Sequence, residues 1–114
     1  MTVIQWYWEE NGDFGILAEG HAEYHPGNDI VCSAVSALLQ TLYAGLEIYC
    51  FAETEQFQES GLFWLKGNAI SHTERAKTLF DSILFGLQML TEEYPAHVSM
   101  EKMGGCRVSG TFIK

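Results

Sequence analysis

The sequence predicts a two-layer α+β sandwich, in which a four- to five-stranded sheet carries two helices on one face. Segments with the alternating pattern of strands surround two longer segments with apolar residues at helical spacing, in the order β-β-α-β-β-α-β. The 114 residues contain no linker, repeat or low-complexity stretch, so residues 1–114 are expected to form one domain. The other face of the sheet is expected to be solvated or paired with a second subunit.

The first two strands form a predicted hairpin. Large apolar side chains alternate along residues 3–8, which is the periodicity of a half-buried strand. The Asn-Gly-Asp sequence at 11–13 favours a hairpin turn because Asn and Gly adopt positive φ at little cost. Residues 14–18 then form the returning strand.

The first helix is predicted to begin after the N-cap Asp29 and to run to about Ala44, where Gly45 stops it. An apolar stripe supports this helix: Val31, Val35, Leu38 and Leu42. Residues 45–52 and 61–66 are predicted as two further strands, joined by an acidic connection that contains glutamines.

The second helix opens at a capping box, Ser-His-Thr-Glu at 71–74, and ends at Tyr94-Pro95. Its apolar positions recur at helical spacing: Ala76, Leu79, Phe80, Ile83, Leu87 and Leu90. Residues 97–103 are predicted as the last strand. The tail at 104–114 can add another.

Charge is distributed unevenly along the chain, whose net charge is −9. Residues 1–65 contain ten acidic residues and no lysine or arginine, whereas residues 66–114 contain five acidic and six basic residues. Such a half repels phosphate, so direct nucleic-acid binding is not expected, and it attracts basic peptides. Solubility alone is an alternative explanation.

The expected compartment is the cytoplasm. No apolar run approaches the roughly 18 residues of a membrane span, and the N-terminus lacks a signal-peptide pattern. The three cysteines, Cys32, Cys50 and Cys106, show neither a disulfide framework nor zinc-knuckle spacing. Cys50 is expected to be inert in an apolar strand, and the role of Cys106 stays open.

The candidate chemistry lies between His21 and Cys32. With Asp29 as N-cap, Cys32 occupies the first turn of the helix, where free amides and the macrodipole favour a thiolate. A nearby neutral imidazole suits general acid–base work. Ser36 lies four residues on, on the same helical face. The alternatives are a buried apolar cysteine, a loop histidine and a serine that only packs the helix.

Asp29 has two possible roles, the helix cap or a third catalytic residue that orients His21, and the cap is favoured. A metal site of His21, Glu23, His25 and Cys32 is not expected, because Pro26-Gly27 excludes the helical H-E-x-x-H arrangement; no cofactor is implied. A cluster of aromatic residues suits either a substrate groove or core and dimer packing: Trp6, Tyr7, Trp8, Phe63 and Trp64.

Three stretches, GHA-x-Y, DIVC-x-A-V-S-A-L and GLQMLTEEYP, resemble the ribosomal-processing cysteine proteases of bacteria, the Prp family. The resemblance implies a cytoplasmic, homodimeric protease that removes the N-terminal extension of large-subunit ribosomal protein twenty-seven. His21 and Cys32 would be the catalytic dyad and Ser36 the motif serine. Family substrates carry aromatic residues before the cleaved bond and basic residues further on, which suits the acidic half of this chain.

Two features depart from the family pattern. Ser33 stands where alanine is common, and the loop between the dyad residues carries His25-Pro26, which can keep His21 and Cys32 apart in the free protein. In the expected mechanism the helix-start amides, including that of Cys32, hold the oxyanion. The competing hypothesis is a noncatalytic ribosome-assembly module that binds basic tails, in which Cys32 would react with iodoacetamide no faster than a model thiol.

Overall fold

A computed structural model describes residues 1–24 and 29–103 and has the predicted order of elements. The five strands and two helices are β1 (Thr2–Trp8), β2 (Asp13–Glu19), α1 (Ile30–Ile48), β3 (Glu53–Glu59), β4 (Leu62–Asn68), α2 (Thr73–Glu93) and β5 (Val98–Lys102). A short 3-10 turn, Ile70–His72, precedes α2.

The sheet is mixed, with the strand order β3-β4-β2-β1-β5. β1 and β2 form the predicted hairpin, with Trp6 opposite Ile16. β4 pairs antiparallel with both β2 and β3, whereas β5 pairs parallel with β1 because α2 crosses over before the chain returns. Within the described residues, β3 and β5 therefore form the two edges of the sheet.

The core lies between the helices and one face of the sheet, as the fold class predicts. The largest fully buried side chains come from both layers: Phe14, Phe80, Ile4, Ile16, Leu42, Leu46, Leu65 and Leu87. The Trp8 ring stacks on Phe14 at a centroid distance of 5.8 Å and meets Phe80 at 5.2 Å. Most of the predicted aromatic cluster is thus core, and Tyr7 and Trp64 alternate onto the open face.

α1 is longer than the sequence predicts. The expected stop at Gly45 and strand at 45–52 are wrong, because the helix continues to Ile48 and buries Leu46. A Cβ at Gly45 would lie 2.6 Å from Leu79 Cδ2. This glycine therefore allows α1 and α2 to approach closely and does not end the helix. Cys50 is buried in the turn that follows, not in a strand.

The acidic connection predicted between two strands is itself strand β3. An edge strand needs only one paired side, and β3 buries none of its side chains, so it carries no apolar alternation that would reveal it. Its register with β4 places Phe57 beside Trp64, and the two rings stack at 6.2 Å.

α2 begins differently from the prediction and ends as predicted. The capping box at 71–74 is not formed, because Ser71 lies in the 3-10 turn and the side chain of the N-cap residue, His72, makes no capping hydrogen bond. The helix ends at the C-cap Tyr94, immediately before Pro95. The predicted last strand is confirmed as β5, and the tail at 104–114 lies outside the described residues.

α1 is long and apolar enough to cross a membrane by length and composition. The prediction that no segment is apolar enough to span a membrane is therefore wrong for α1. The packing nevertheless indicates that α1 is a core helix, because five of its side chains are buried in the shared core: Val31, Val35, Leu39, Leu42 and Leu46. This is the arrangement of a core helix in a two-layer fold.

Candidate active site

The beginning of α1 places Cys32 as the third residue of the helix, with Asp29 as its N-cap. Oδ1 of Asp29 accepts hydrogen bonds from the amides of Val31 and Cys32 at 3.0 and 2.9 Å. Oδ2 accepts from the amide of Tyr24 at 3.0 Å, which ties the preceding loop to the helix. These contacts make Asp29 the cap, as predicted, and none of them involves His21.

The same contacts keep Asp29 ionised. Burial acts to raise the pKa of this carboxyl, but hydrogen bonds from Cys32, Tyr24 and Val31 together lower the pKa below its ordinary value. The amide of Cys32 is already occupied, because it donates its hydrogen bond to Oδ1 of Asp29. The expectation that this amide holds an oxyanion is not met, and other donors would have to do so.

The thiol of Cys32 is half-buried and has its own amide donor. The backbone N–H of Ala22 donates to Sγ at a distance of 3.1 Å. Ala22 directly follows His21, so this bond also fixes the backbone that carries the imidazole. A donor at this position stabilises a thiolate more than a thiol, since the bond to an anion is stronger. The helix macrodipole acts in the same direction.

His21, Cys32 and Ser36 line one cavity of about 170 Å³. His21 follows Gly20 at the end of β2, and its Nε2 lies only 3.0 Å from where a Cβ on Gly61 would stand. No hydrogen bond joins His21 to Cys32 within the described residues, and His25-Pro26 of the intervening loop lies outside them. The structure therefore brings the predicted residues together in an open arrangement.

Two glutamines that the sequence did not identify as site residues also line this cavity. The side-chain amide of Gln40 donates to Oε1 of Gln58 at 2.7 Å and joins α1 to β3 at the rim. Gln40 continues the spacing of Cys32 and Ser36 at every fourth residue, which could have identified it. Gln58 has no such signal, because its strand, β3, lacks the apolar alternation that would predict a strand.

The described residues contain no group of three His, Cys, Asp or Glu side chains able to hold a metal ion. His25, one residue of the metal site considered above, lies outside the described ranges. Cys50 differs from Cys32 in its surroundings: burial raises the pKa of its thiol, although the charge of Arg75 acts to lower it. Cys50 is therefore poorly suited to nucleophilic chemistry.

A family model described as "Cysteine protease Prp" matches residues 1–99. No curated protein sequence matches the chain. Among solved structures, the essential ribosomal processing protease Prp from S. aureus with a covalently linked product peptide aligns with a TM-score of 0.80 and 20% identity, over 90% of this chain and 100% of that chain.

Two further structures show the same fold. The S. aureus protease in complex with a substrate peptide gives a TM-score of 0.75 at 19% identity, over 90% of this chain and 100% of that chain. SMU.848 from Streptococcus mutans gives a TM-score of 0.68 at 25% identity, over 90% of this chain and 94% of that chain.

Proposed function

The chain belongs to the Prp family of cysteine proteases, and we propose that it removes the N-terminal extension of large-subunit ribosomal protein twenty-seven. The observation that carries the proposal is the placement of Cys32 at the start of α1, in one cavity with His21. Family membership favours this function over the noncatalytic binding module.

In the proposed mechanism His21 takes the thiol proton and Cys32 Sγ attacks the scissile carbonyl. The tetrahedral intermediate collapses when His21 gives that proton to the departing amine, which leaves the extension bound to Sγ as a thioester. His21 then takes a proton from water, and the hydroxide attacks the thioester carbonyl. Collapse releases the extension as a carboxylic acid, and the proton returns to the thiolate.

The charge around the cavity supports a basic substrate. All of its lining residues lie within residues 1–65, the half that has no lysine or arginine. Glu59 contributes a carboxylate to the lining. Basic residues after the cleaved bond would be attracted to this wall, and the field would speed their association at low ionic strength. Solved members of the fold hold a substrate peptide and a covalently linked product peptide.

We place the enzyme in the cytoplasm, where its substrate is made, and propose that it acts as a homodimer. The stacked rings of Phe57 and Trp64 on the open face of the sheet support association with a second copy. Light scattering on the purified chain tests this proposal, which predicts twice the monomer mass of 12.8 kDa. A monomer at all accessible concentrations would contradict it.

Cleavage of a peptide that spans the extension and the first residues of the mature ribosomal protein tests the activity. The wild type is expected to cut this peptide at one bond, and Cys32→Ala to bind it without cutting. Cys50→Ala is the matched control, because Cys50 is buried away from the cavity. Cleavage that persists in Cys32→Ala would overturn the mechanism, and binding without cleavage by the wild type would favour the noncatalytic module.

A further inference from the structure

We propose that His97 is a positioning residue for the nucleophile, acting through the backbone of Ala22. The inference rests on the proposed function, in which Cys32 is the attacking group. His97 lies in the turn between α2 and β5, far along the chain from the predicted site. It does not line the cavity that contains Cys32, so it does not contact the substrate directly.

The two backbone polar groups of Ala22 face different partners. Its N–H donates to Sγ of Cys32 at 3.1 Å, and its carbonyl oxygen lies 2.9 Å from Nδ1 of His97. A carbonyl oxygen only accepts, so the ring nitrogen must carry the hydrogen. Ala22 is itself fully buried, and a carbonyl without a partner there would be costly. His97 therefore fixes the orientation of the residue that contacts the thiol.

The segment after Ala22 is strained, so it is expected to change conformation when the hydrogen bond from His97 is removed. Glu23 adopts a φ of 59°, a left-handed conformation that is unfavourable for a residue with a side chain. Such a conformation persists where neighbouring contacts hold it. The hydrogen bond from Tyr24 to Asp29 holds the far side of Glu23, and the bond from His97 to Ala22 holds the near side.

His97 is firmly held and can serve as a support. Its backbone N–H donates to the carbonyl of Tyr94 at 2.9 Å, and its carbonyl accepts from Thr2 at 2.9 Å. Its ring meets the ring of Tyr24 edge to face at 5.3 Å. The junction of α2 and β5 is thereby connected to the segment that directly follows His21.

Three substitutions separate the hydrogen bond from the ring. His97→Phe keeps the contact with Tyr24 and removes the donor. His97→Asn places an amide nitrogen at the position of Nδ1, whereas His97→Gln places it one bond further out. We expect the rate of Cys32 alkylation by iodoacetamide at neutral pH to fall about tenfold in the Phe and Gln variants, because the carbonyl of Ala22 loses its donor and the released backbone no longer holds the Ala22 N–H against Sγ. His97→Asn should stay within about threefold of the wild type.

Peptide mapping by mass spectrometry assigns the alkylation to Cys32, and thermal unfolding shows which variants fold. His72→Phe is the matched control, because His72 contacts Phe51 at the other end of α2. Cys32 in this variant should be alkylated at the wild-type rate. The Phe and Gln variants of His97 should cleave the extension peptide with a lower kcat and little change in KM, because the nucleophile is displaced while substrate binding is not.

Wild-type alkylation of Cys32 in His97→Phe would overturn the inference. If that variant does not fold, equal reactivity of the Gln and Asn variants would overturn it instead. Alkylation needs no substrate, so these outcomes are distinct from a failure of the proposed protease function, which the Cys32→Ala cleavage assay tests.

Discussion

Replacing Gly61 with alanine is expected to damage catalysis more than it damages the fold. Gly61 forms the turn between β3 and β4 and has a φ of +78°. An added Cβ would lie 3.0 Å from Nε2 of His21, which is closer than ordinary van der Waals contact. The carbonyl of Gly61 also accepts a hydrogen bond from Gly20 at 2.8 Å, next to the histidine. Strain at this turn therefore reaches His21 by two routes.

The two effects have different magnitudes. An alanine in the left-handed region costs about 1–2 kcal/mol of stability. Displacement of the imidazole by several tenths of an ångström should reduce kcat by about tenfold, since a misplacement of about 1 Å can cost 10²-fold. The turnover would thus fall even at temperatures where the variant is fully folded.

Gly12→Ala is the matched control for backbone strain. Gly12 has a φ of +94° in the β1–β2 turn, and its added Cβ would lie 2.9 Å from the Ile70 amide nitrogen, away from the cavity. Both variants should unfold at lower temperature than the wild type, and only Gly61→Ala should lose turnover of the extension peptide. Wild-type turnover in Gly61→Ala, or an equal loss in folded Gly12→Ala, would refute this reasoning.

Three further perturbations have defined outcomes. Asp29→Ala should reduce the free energy of unfolding through loss of the cap. Because folding lowers the pKa of Asp29, its carboxylate stabilises the folded protein above about pH 4, and this stabilisation is lost as the pH falls through the folded pKa. The stability of Asp29→Ala should therefore fall less on acidification than the stability of the wild type. Equal acid profiles would contradict this. Cys50 should be alkylated only after denaturation, and rapid native labelling would contradict its burial. Gly45→Ala should destabilise by about 1–3 kcal/mol through its clash with Leu79, although alanine favours helix; a stabilised variant would refute the close packing of α1 and α2.

The local features of the site could be predicted from the sequence. A cap and the residue three positions later are fixed by the geometry of one helical turn, so Asp29 and Cys32 fall where expected. The spacing of Ser36 follows from the same helix. Capping also accounts for the occupied amide of Cys32, because an N-cap carboxylate accepts from the amides of the first helical turn.

The errors arise where contacts are distant in sequence. Gly45 looks like a helix stop until Leu79 is seen packed against it. Gln58 reaches the cavity only through the pairing of β3 with β4, and no apolar pattern marks that edge strand. His97 meets Ala22 across 75 positions, a distance over which periodicity and spacing carry no information.

The central claim is that Cys32 forms a covalent bond with the extension during peptide cleavage. Rapid quenching of the wild type with the extension peptide, followed by intact-mass analysis and peptide mapping, tests it most directly. We expect a transient adduct on Cys32 with the mass of the extension acyl group, and no such adduct in Cys32→Ala. Peptide cleavage that proceeds at the same rate in Cys32→Ala, with no adduct in the wild type, would contradict it.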